Sequence, residues 1–584
     1  MAAGAMLSAA GRREALDEMA RAPLDVLVIG GGITGAGVAL DAAARGYRAG
    51  LIERGDFAGG TSSRSTKLVH GGIRYLPELD VPLVREALLE RGRLLRNAPH
   101  LVHPLAFVLP LYASSRHPVG LPIAPPGGIG LGLILDAGLT LYDLLAGREN
   151  VARHRRLSAA ETEKHAPCLV PDGLKSGFVY YDAQTDDARL TLAVLRTAAG
   201  RGALAANYCE AVSFLRDGGG RTVGVVARDT LEAGGEGADG AAGEARTWEL
   251  HARHVVNAAG VWSERVERLA GETPQLRVQP SKGTHLVFAK ELFELGDEAI
   301  VLPETADRRI IFIVPWLSRA LVGTTDDATD SLRPPVATSD EIDYLLAHLN
   351  RFTRRPVTRD DILATYAGYR PLLKLQKGRT PARLSRTHAI VEGDDGLLTL
   401  SGGKLTTYRR MAEELLDRID AREGRSGAER RHPTLALPLA GAEGWERARV
   451  GIQERAAALG LEGDVAEHLS AYGTDAAALL DLVAGDAALG ARLVDDLPYI
   501  AAEVVWACRA ELALTLEDVL ARRTRIAIEE RTRGLDAAAM VARLMAVELG
   551  WSDAERARQI EAYAGYAREQ AGPLADALDA YARP

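Results

Sequence analysis

The stretch Leu24-Asp25-Val26-Leu27-Val28-Ile29-Gly30-Gly31-Gly32-Ile33-Thr34-Gly35-Ala36-Gly37 decides the fold. Its first six residues are apolar except for Asp25, as a buried parallel strand should be, and they run straight into a glycine turn. Val38, Leu40, Ala43 and Ala44 then recur at helical spacing as far as Gly46. Arg48–Ile52 reads as a second strand, with Glu53 and Arg54 at its tip. This strand–turn–helix–strand unit predicts a dinucleotide site. Gly30 permits the tight turn, Gly32 lets the backbone approach a diphosphate, and Gly35 lets helix and strand pack closely. The diphosphate would rest on the positive helix N-terminus, at Ile33 and Thr34. Glu53, 21 residues after Gly32, is placed to accept from a ribose diol and would repel a 2′-phosphate.

Working outward, the next segment is no helical crossover but the polar loop TSSRSTKLVHGG (61–72). Its Thr61, Ser62, Ser63, Lys67, Leu68, His70, Gly71 and Gly72 suit diphosphate, ribityl and ring contacts. A strand over 249–257 ends in a second small-residue turn, with Ala259, Gly260 and Trp262 as candidates. A third turn, more than 340 residues from the first, offers Gly402, Gly403, Lys404, Leu405 and Thr406. Nicotinamide cofactors usually sit within one contiguous domain. Contacts this dispersed point to FAD threaded through a domain split in sequence.

The chain has 584 residues, 47% hydrophobic and 26% charged, enough for three or four globular units. Its three cysteines stand far apart, which excludes a disulfide framework or a structural zinc site and fits a reducing cytosol. A net charge of −9 offers no global basic field for nucleic acid. Residues 1–22 form an N-terminal extension in which Glu14, Asp17 and Glu18 follow Arg12 and Arg13, unlike a secretory signal. The most apolar region, 120–147, holds three prolines, Asp136 and Asp143, so 128–145 reads as a buried or interfacial helix rather than a span. Arg85, Arg91, Arg93 and Arg96 share a predicted helix and would face water or lipid headgroups. Residues 434–584 read as a separate helical domain.

The combination DVLVIGGGITGAG (25–37), TSSRSTKLVHGGIRYL (61–76), NAAGVW (257–262), KGTH (282–285), TYAGYRPL (365–372) and SGGKLTTYR (401–409) resembles the FAD-dependent glycerol-3-phosphate dehydrogenases. The likeness extends over about residues 23–545, including LTLEDVLARRTR (514–525) in the tail; 117–130 and 229–245 look like local elaborations. The resemblance implies an α/β fold with a glutathione-reductase-like FAD-binding domain, an antiparallel-sheet cap carrying the substrate pocket and an all-helical C-terminal domain. The expected division is 23–76 with 185–265 and 370–424 for FAD, 77–184 with 266–369 for the cap, and 434–584 for the helices.

It also implies oxidation of sn-glycerol 3-phosphate to dihydroxyacetone phosphate, with hydride passing from C2 to flavin N5 and electrons on to a membrane quinone. The flavin would be held non-covalently. The protein would be cytoplasmic, peripherally attached to the inner face of the cell membrane, with a homodimer left open. Such chemistry needs cations for a phosphate dianion and an acceptor for a hydroxyl proton. By the same resemblance Arg74, Arg370 and Arg386 are the expected cations and His285 the expected base, with Tyr75 and His70 as competitors; Lys404, beside Gly402 and Gly403 at a helix N-terminus, would add its charge either to the reduced flavin or to the substrate phosphate. A glycerol-3-phosphate oxidase using oxygen shares these motifs. An amino-acid oxidase and a catalytically silent flavin-binding scaffold are more distant alternatives.

Overall fold

The computed structural model describes residues 7–78, 80–115, 130–231, 245–305, 307–374, 388–425 and 432–581. Arg386 and most of the 117–130 and 229–245 segments lie outside them.

Leu24–Ile29 is the central strand of a parallel sheet. It pairs with Thr247–Asn257 on one side, Ile29 opposite Asn257, and with Ala49–Ile52 on the other. Leu204–Ala206 and Leu398–Gly402 extend the two flanks in parallel, and His388–Glu392 closes one edge in antiparallel sense. Val26, Leu27 and Val28 are fully buried, which accounts for the unbroken apolar run. The helix Ile33–Ala44 covers one face, beside Asp187–Gly200 and Tyr408–Arg422. The turns that leave Ile29, Ile52, Asn257 and Gly402 therefore collect at one edge of the sheet, where ligands of open α/β sheets bind.

A second, ten-stranded sheet stands across that edge. Its long ladder pairs Arg277–Ala289 with Ile362–Lys374, setting Ser281 opposite Arg370 and His285 opposite Tyr366. Val102–Tyr112 pairs with Leu174–Thr185. The sheet is mixed rather than wholly antiparallel: Glu298–Val301 runs parallel to Val102–Tyr112, joined to it by the long excursion that parallel pairs require. Ile362–Lys374 lies wholly in this sheet, so the change of layer falls after Lys374 and not at 370. Leu68–Val69 joins it too, through Leu174–Thr185.

The N-terminal extension is part of the fold. The helix Ala9–Arg21, capped by Ser8, buries Leu16 and Met19, and its Arg12 pairs with Asp229 at 2.8 Å. The C-terminal helices dock through charge as well as packing. Asp56, behind the second strand, is buried against Arg522 and Arg523. Burial alone would raise its pKa, but the two guanidinium groups hold it down to about 2. Arg525 donates to Ser63 O at 2.8 Å and lies 3.4 Å from Asp187.

The expected 128–145 helix is present as Leu131–Ala146, with one face buried and the other exposed. No helix among the described residues is long and apolar enough to cross a membrane. Arg91 departs from expectation. It faces neither water nor lipid but is fully buried, bonded to Asp182 at 2.7 Å and to Tyr181 O, because that flank of Val81–Asn97 packs inward.

Candidate active site

A cavity of about 1330 Å³ lies between the turn edge of the first sheet and the long ladder of the second. At one end the backbone itself forms the wall. Gly30 has φ +118°, and a Cβ there would stand 2.7 Å from Ala258 O; one on Gly35 would meet Gly30 O at 1.9 Å. Only glycine permits this approach of two turns and a helix. Gly32 starts the helix with no side-chain cap of its own, and Ser62 Oγ accepts from Ile33 N at 2.9 Å. Glu53 accepts from Gly31 N at 2.7 Å and Gly55 N at 2.9 Å. Burial raises its pKa, against the pull of those two bonds. Arg54 lies over the Trp262 ring at 5.7 Å. Thr34, Thr61, Ala259, Gly260, Gly402, Gly403, Leu405 and Thr406 complete this part of the wall. Glycine turns at a helix N-terminus, a carboxylate at the second strand tip and an approach from three chain segments fit FAD.

Charge gathers at the other end. Arg370, on Ile362–Lys374, donates to Thr325 O at 3.2 Å and Thr324 Oγ1 at 3.1 Å, and pairs with Asp326 at 3.1 Å. Its pKa is lowered, first by burial and also by nearby Arg74, while Asp326 opposes. Arg74 is exposed to the cavity from the short turn Ile73–Tyr75, and Lys404 Nζ sits 3.9 Å above the Tyr75 ring. His285, from Arg277–Ala289, reaches the same cavity. Its Nε2 lies 3.0 Å from Thr66 Oγ1, and its ring stacks on Tyr366 at 4.6 Å with 7° between the planes. Burial, with Arg370 and Lys67 adding to it, holds its pKa well below 6.5, so the imidazole is neutral at neutral pH. His70 is held down to about 4, first by burial and then by Lys404. With Leu68 and Gly72, it lies on the wall between the two ends.

Four expected contact residues stand off the wall. Gly35 acts through packing alone. Gly71 is pressed against Leu88 and Tyr142, and Ser63 offers its carbonyl to Lys67 at 2.6 Å. Lys67 is the clearest correction. Its ammonium is fully buried against Asp187 at 2.8 Å, and burial brings its pKa to about 8. It braces the 61–72 loop from behind.

Other residues belong to the site without a sequence signal of their own. Thr66 and Tyr366 hold His285, while Thr324, Thr325 and Asp326 hold Arg370. The ladder register sets Tyr366 beside His285, and the 61–72 loop brings Thr66 to its Nε2 from the other sheet's side. Asp182 lines the cavity and accepts from Arg91, Tyr142 and Gly71 N. Among the described residues no cluster of histidine, cysteine or carboxylate could hold a metal.

Comparison with known proteins accords with this geometry. Residues 25–409 match the FAD dependent oxidoreductase family, and residues 432–556 match the C-terminal domain of alpha-glycerophosphate oxidase. The chain is 39% identical over 581 residues to glycerol-3-phosphate dehydrogenase 2 of Mycobacterium tuberculosis, spanning 98% of this chain and 92% of that protein. It is 37% identical to the mitochondrial glycerol-3-phosphate dehydrogenase of Bos taurus, spanning 92% and 72%. The glycerol-3-phosphate dehydrogenase of Bacillus halodurans, solved with FAD, superposes with a TM-score of 0.77 at 30% identity, covering 97% of this chain and 99% of that one. The chain is an FAD-dependent enzyme and belongs to the glycerol-3-phosphate dehydrogenase family.

Proposed function

We propose that the enzyme oxidises sn-glycerol 3-phosphate at C2 to dihydroxyacetone phosphate and passes the electrons to a membrane quinone, working at the inner face of the cell membrane. The observation that carries the substrate reading is the gathering of Arg74, Arg370, Lys404 and a neutral His285 at one end of a cavity whose other end suits FAD. Arg370, fixed by Thr324, Thr325 and Asp326, is oriented to hold a phosphate oxygen, and Arg74 and Lys404 supply further positive charge. Bound FAD supplies the two-electron acceptor for the hydrogen on C2. His285 takes the proton of the C2 hydroxyl. Being neutral it has a lone pair to offer, and a dianion bound beside it favours the imidazolium form, so its basicity rises when substrate arrives. Thr66 and Tyr366 fix the ring plane throughout.

The test is anaerobic mixing with sn-glycerol 3-phosphate while flavin absorption is followed. Rapid bleaching is expected, with none from glycerol or from amino acids; a flavin that stays oxidised ends the substrate reading. The match of residues 432–556 to an oxidase domain makes oxygen the second reading for the acceptor. Peroxide formed in proportion to substrate would favour it over quinone.

A further inference from the structure

Three strands of the second sheet share a face that reaches the cavity, and glycines leave that face bare. On Arg277–Ala289, Ser281, Gly283 and His285 lie on it by the period of two. Their cross-strand partners lie on it too. Arg370, Gly368 and Tyr366 stand opposite those three on Ile362–Lys374, and Gly323 stands opposite His285 on Arg319–Gly323. Gly283, Gly323 and Gly368 all keep φ outside the left-handed region, so no turn demands glycine at these positions. Glycine weakens a strand, and it stands in one where something must come close.

What comes close differs among the three. A Cβ on Gly368 would stand 2.6 Å from Arg64 O, so this glycine admits the backbone of the 61–72 loop. A Cβ on Gly283 would stand 2.6 Å from Arg370 Nη2, 2.8 Å from its Nη1 and 2.6 Å from Thr324 Oγ1. The guanidinium and the hydroxyl that accepts from it at 3.1 Å therefore occupy the space a side chain would take. A Cβ on Gly323 would stand 2.4 Å from His285 Cδ2 and 3.0 Å from its Nε2. On its other flank the same ring stacks on Tyr366 at 4.6 Å. The imidazole fills a slot with a tyrosine ring for one wall and a missing side chain for the other.

We propose that Gly283 and Gly323 are positioning residues for the two groups that meet the substrate. Gly283 seats the fork of Arg370, and Gly323 sets the plane and depth of the His285 ring. The proposal rests on the reading of this cavity as the sn-glycerol 3-phosphate site, and it assigns binding to one glycine and proton removal to the other. At both positions the nearest neighbours of an added methyl group are side-chain atoms, not backbone. Those atoms can yield, so the fold tolerates the methyl group while the reacting geometry does not. A displacement on the order of 1 Å can cost a reacting group about 100-fold.

The experiment compares Gly283→Ala and Gly323→Ala as flavin-loaded full chains, oxidising sn-glycerol 3-phosphate with a water-soluble dye. Gly283→Ala should raise KM at least about tenfold and leave kcat within about threefold. Gly323→Ala should do the reverse, lowering kcat at least about tenfold with KM within about threefold. Both should keep their flavin. Double variants separate positioning from a general defect. In Arg370→Lys there is no fork to displace, and Gly283→Ala should then change KM less than about twofold. In His285→Ala there is no ring to displace, and Gly323→Ala should then change kcat less than about twofold. Wild-type constants in the single variants would overturn the proposal, as would lost flavin or losses that persist in full in the double variants. Titration with inorganic phosphate, followed by flavin absorption, needs no turnover. Wild type and Gly323→Ala should bind it alike, and Gly283→Ala at least about tenfold more weakly. That order in an enzyme silent toward sn-glycerol 3-phosphate would end the substrate reading and keep the seat of Arg370. Equal affinity in all three, or none in the wild type, would end the seat itself.

Discussion

His285 is held by Tyr366 against its ring, Thr66 at Nε2 and burial around the rest. Such a side chain cannot swing away, and its low pKa keeps it a base well below the pH where a free histidine would charge. We expect His285→Ala to lower kcat by roughly 10²–10⁴-fold while the flavin stays bound. Near-normal turnover would remove His285 from the mechanism. Arg370→Lys keeps the charge but loses the planar fork that Thr324, Thr325 and Asp326 orient. Its KM for sn-glycerol 3-phosphate should rise at least about tenfold, and an unchanged KM would locate the phosphate elsewhere. These residues were legible because arginine and histidine in a recognisable motif narrow the chemistry. Lys67 shows the limit of that reasoning. Its motif was right, but its partner Asp187 lies 120 residues away in sequence, and no local spacing could show that the ammonium is turned inward.

At the scale of the element, the turn after the first strand was the most legible part of the chain, since every constraint on it is local. Gly30 needs a positive φ, and Gly35 needs the absence of a side chain. Gly35→Ala would put a methyl carbon 1.9 Å from Gly30 O and force helix and strand apart. The expected result is protein purified without flavin, or with flavin bound at least about tenfold more weakly, a fair return for a few kcal/mol of lost fit. A variant that is yellow and tightly loaded would show that the turn has slack. The arginine-rich helix Val81–Asn97 was harder to read. A period of 3.6 says which residues share a face, not which face is buried, so Arg91 and its burial against Asp182 came only with the fold. The edge of the second sheet was hidden for a similar reason, since Ile362–Lys374 finds its layer through pairing with Arg277–Ala289.

Across the whole molecule, the C-terminal helical region is joined to the rest of the chain by groups that cannot change charge freely. His100 is buried with Gly441 close by, and burial, then Arg189, bring its pKa to about 3. The unfolded chain binds a proton at this position near pH 6.5, and the folded chain does not until about pH 3. The folded state therefore loses stability as pH falls through that window, with a limiting slope of about 1.4 kcal/mol per pH unit for the group. Between pH 6.5 and 5 the unfolding temperature should drop, and His100→Gln should make that drop shallower. Equal slopes in the two proteins would count against a neutral buried imidazole. The sequence showed a helical tail but not that Arg522, Arg523 and Arg525 close onto Asp56 and Asp187, because those carboxylates carry no marker of burial.

The split of the flavin sheet also sets a timetable for synthesis. Leu24–Ile29 leaves the ribosome early, but its neighbour Thr247–Asn257 comes much later and Leu398–Gly402 later still. At about 5–20 residues per second, the nascent chain waits on the order of 20–80 s between the first glycine turn and the last. Until Thr247–Asn257 emerges the apolar strand Leu24–Ile29 has a bare edge, and until Leu398–Gly402 follows the cofactor has no complete seat. Flavin capture is therefore a late event in the life of each new molecule, and the danger of aggregation falls before it.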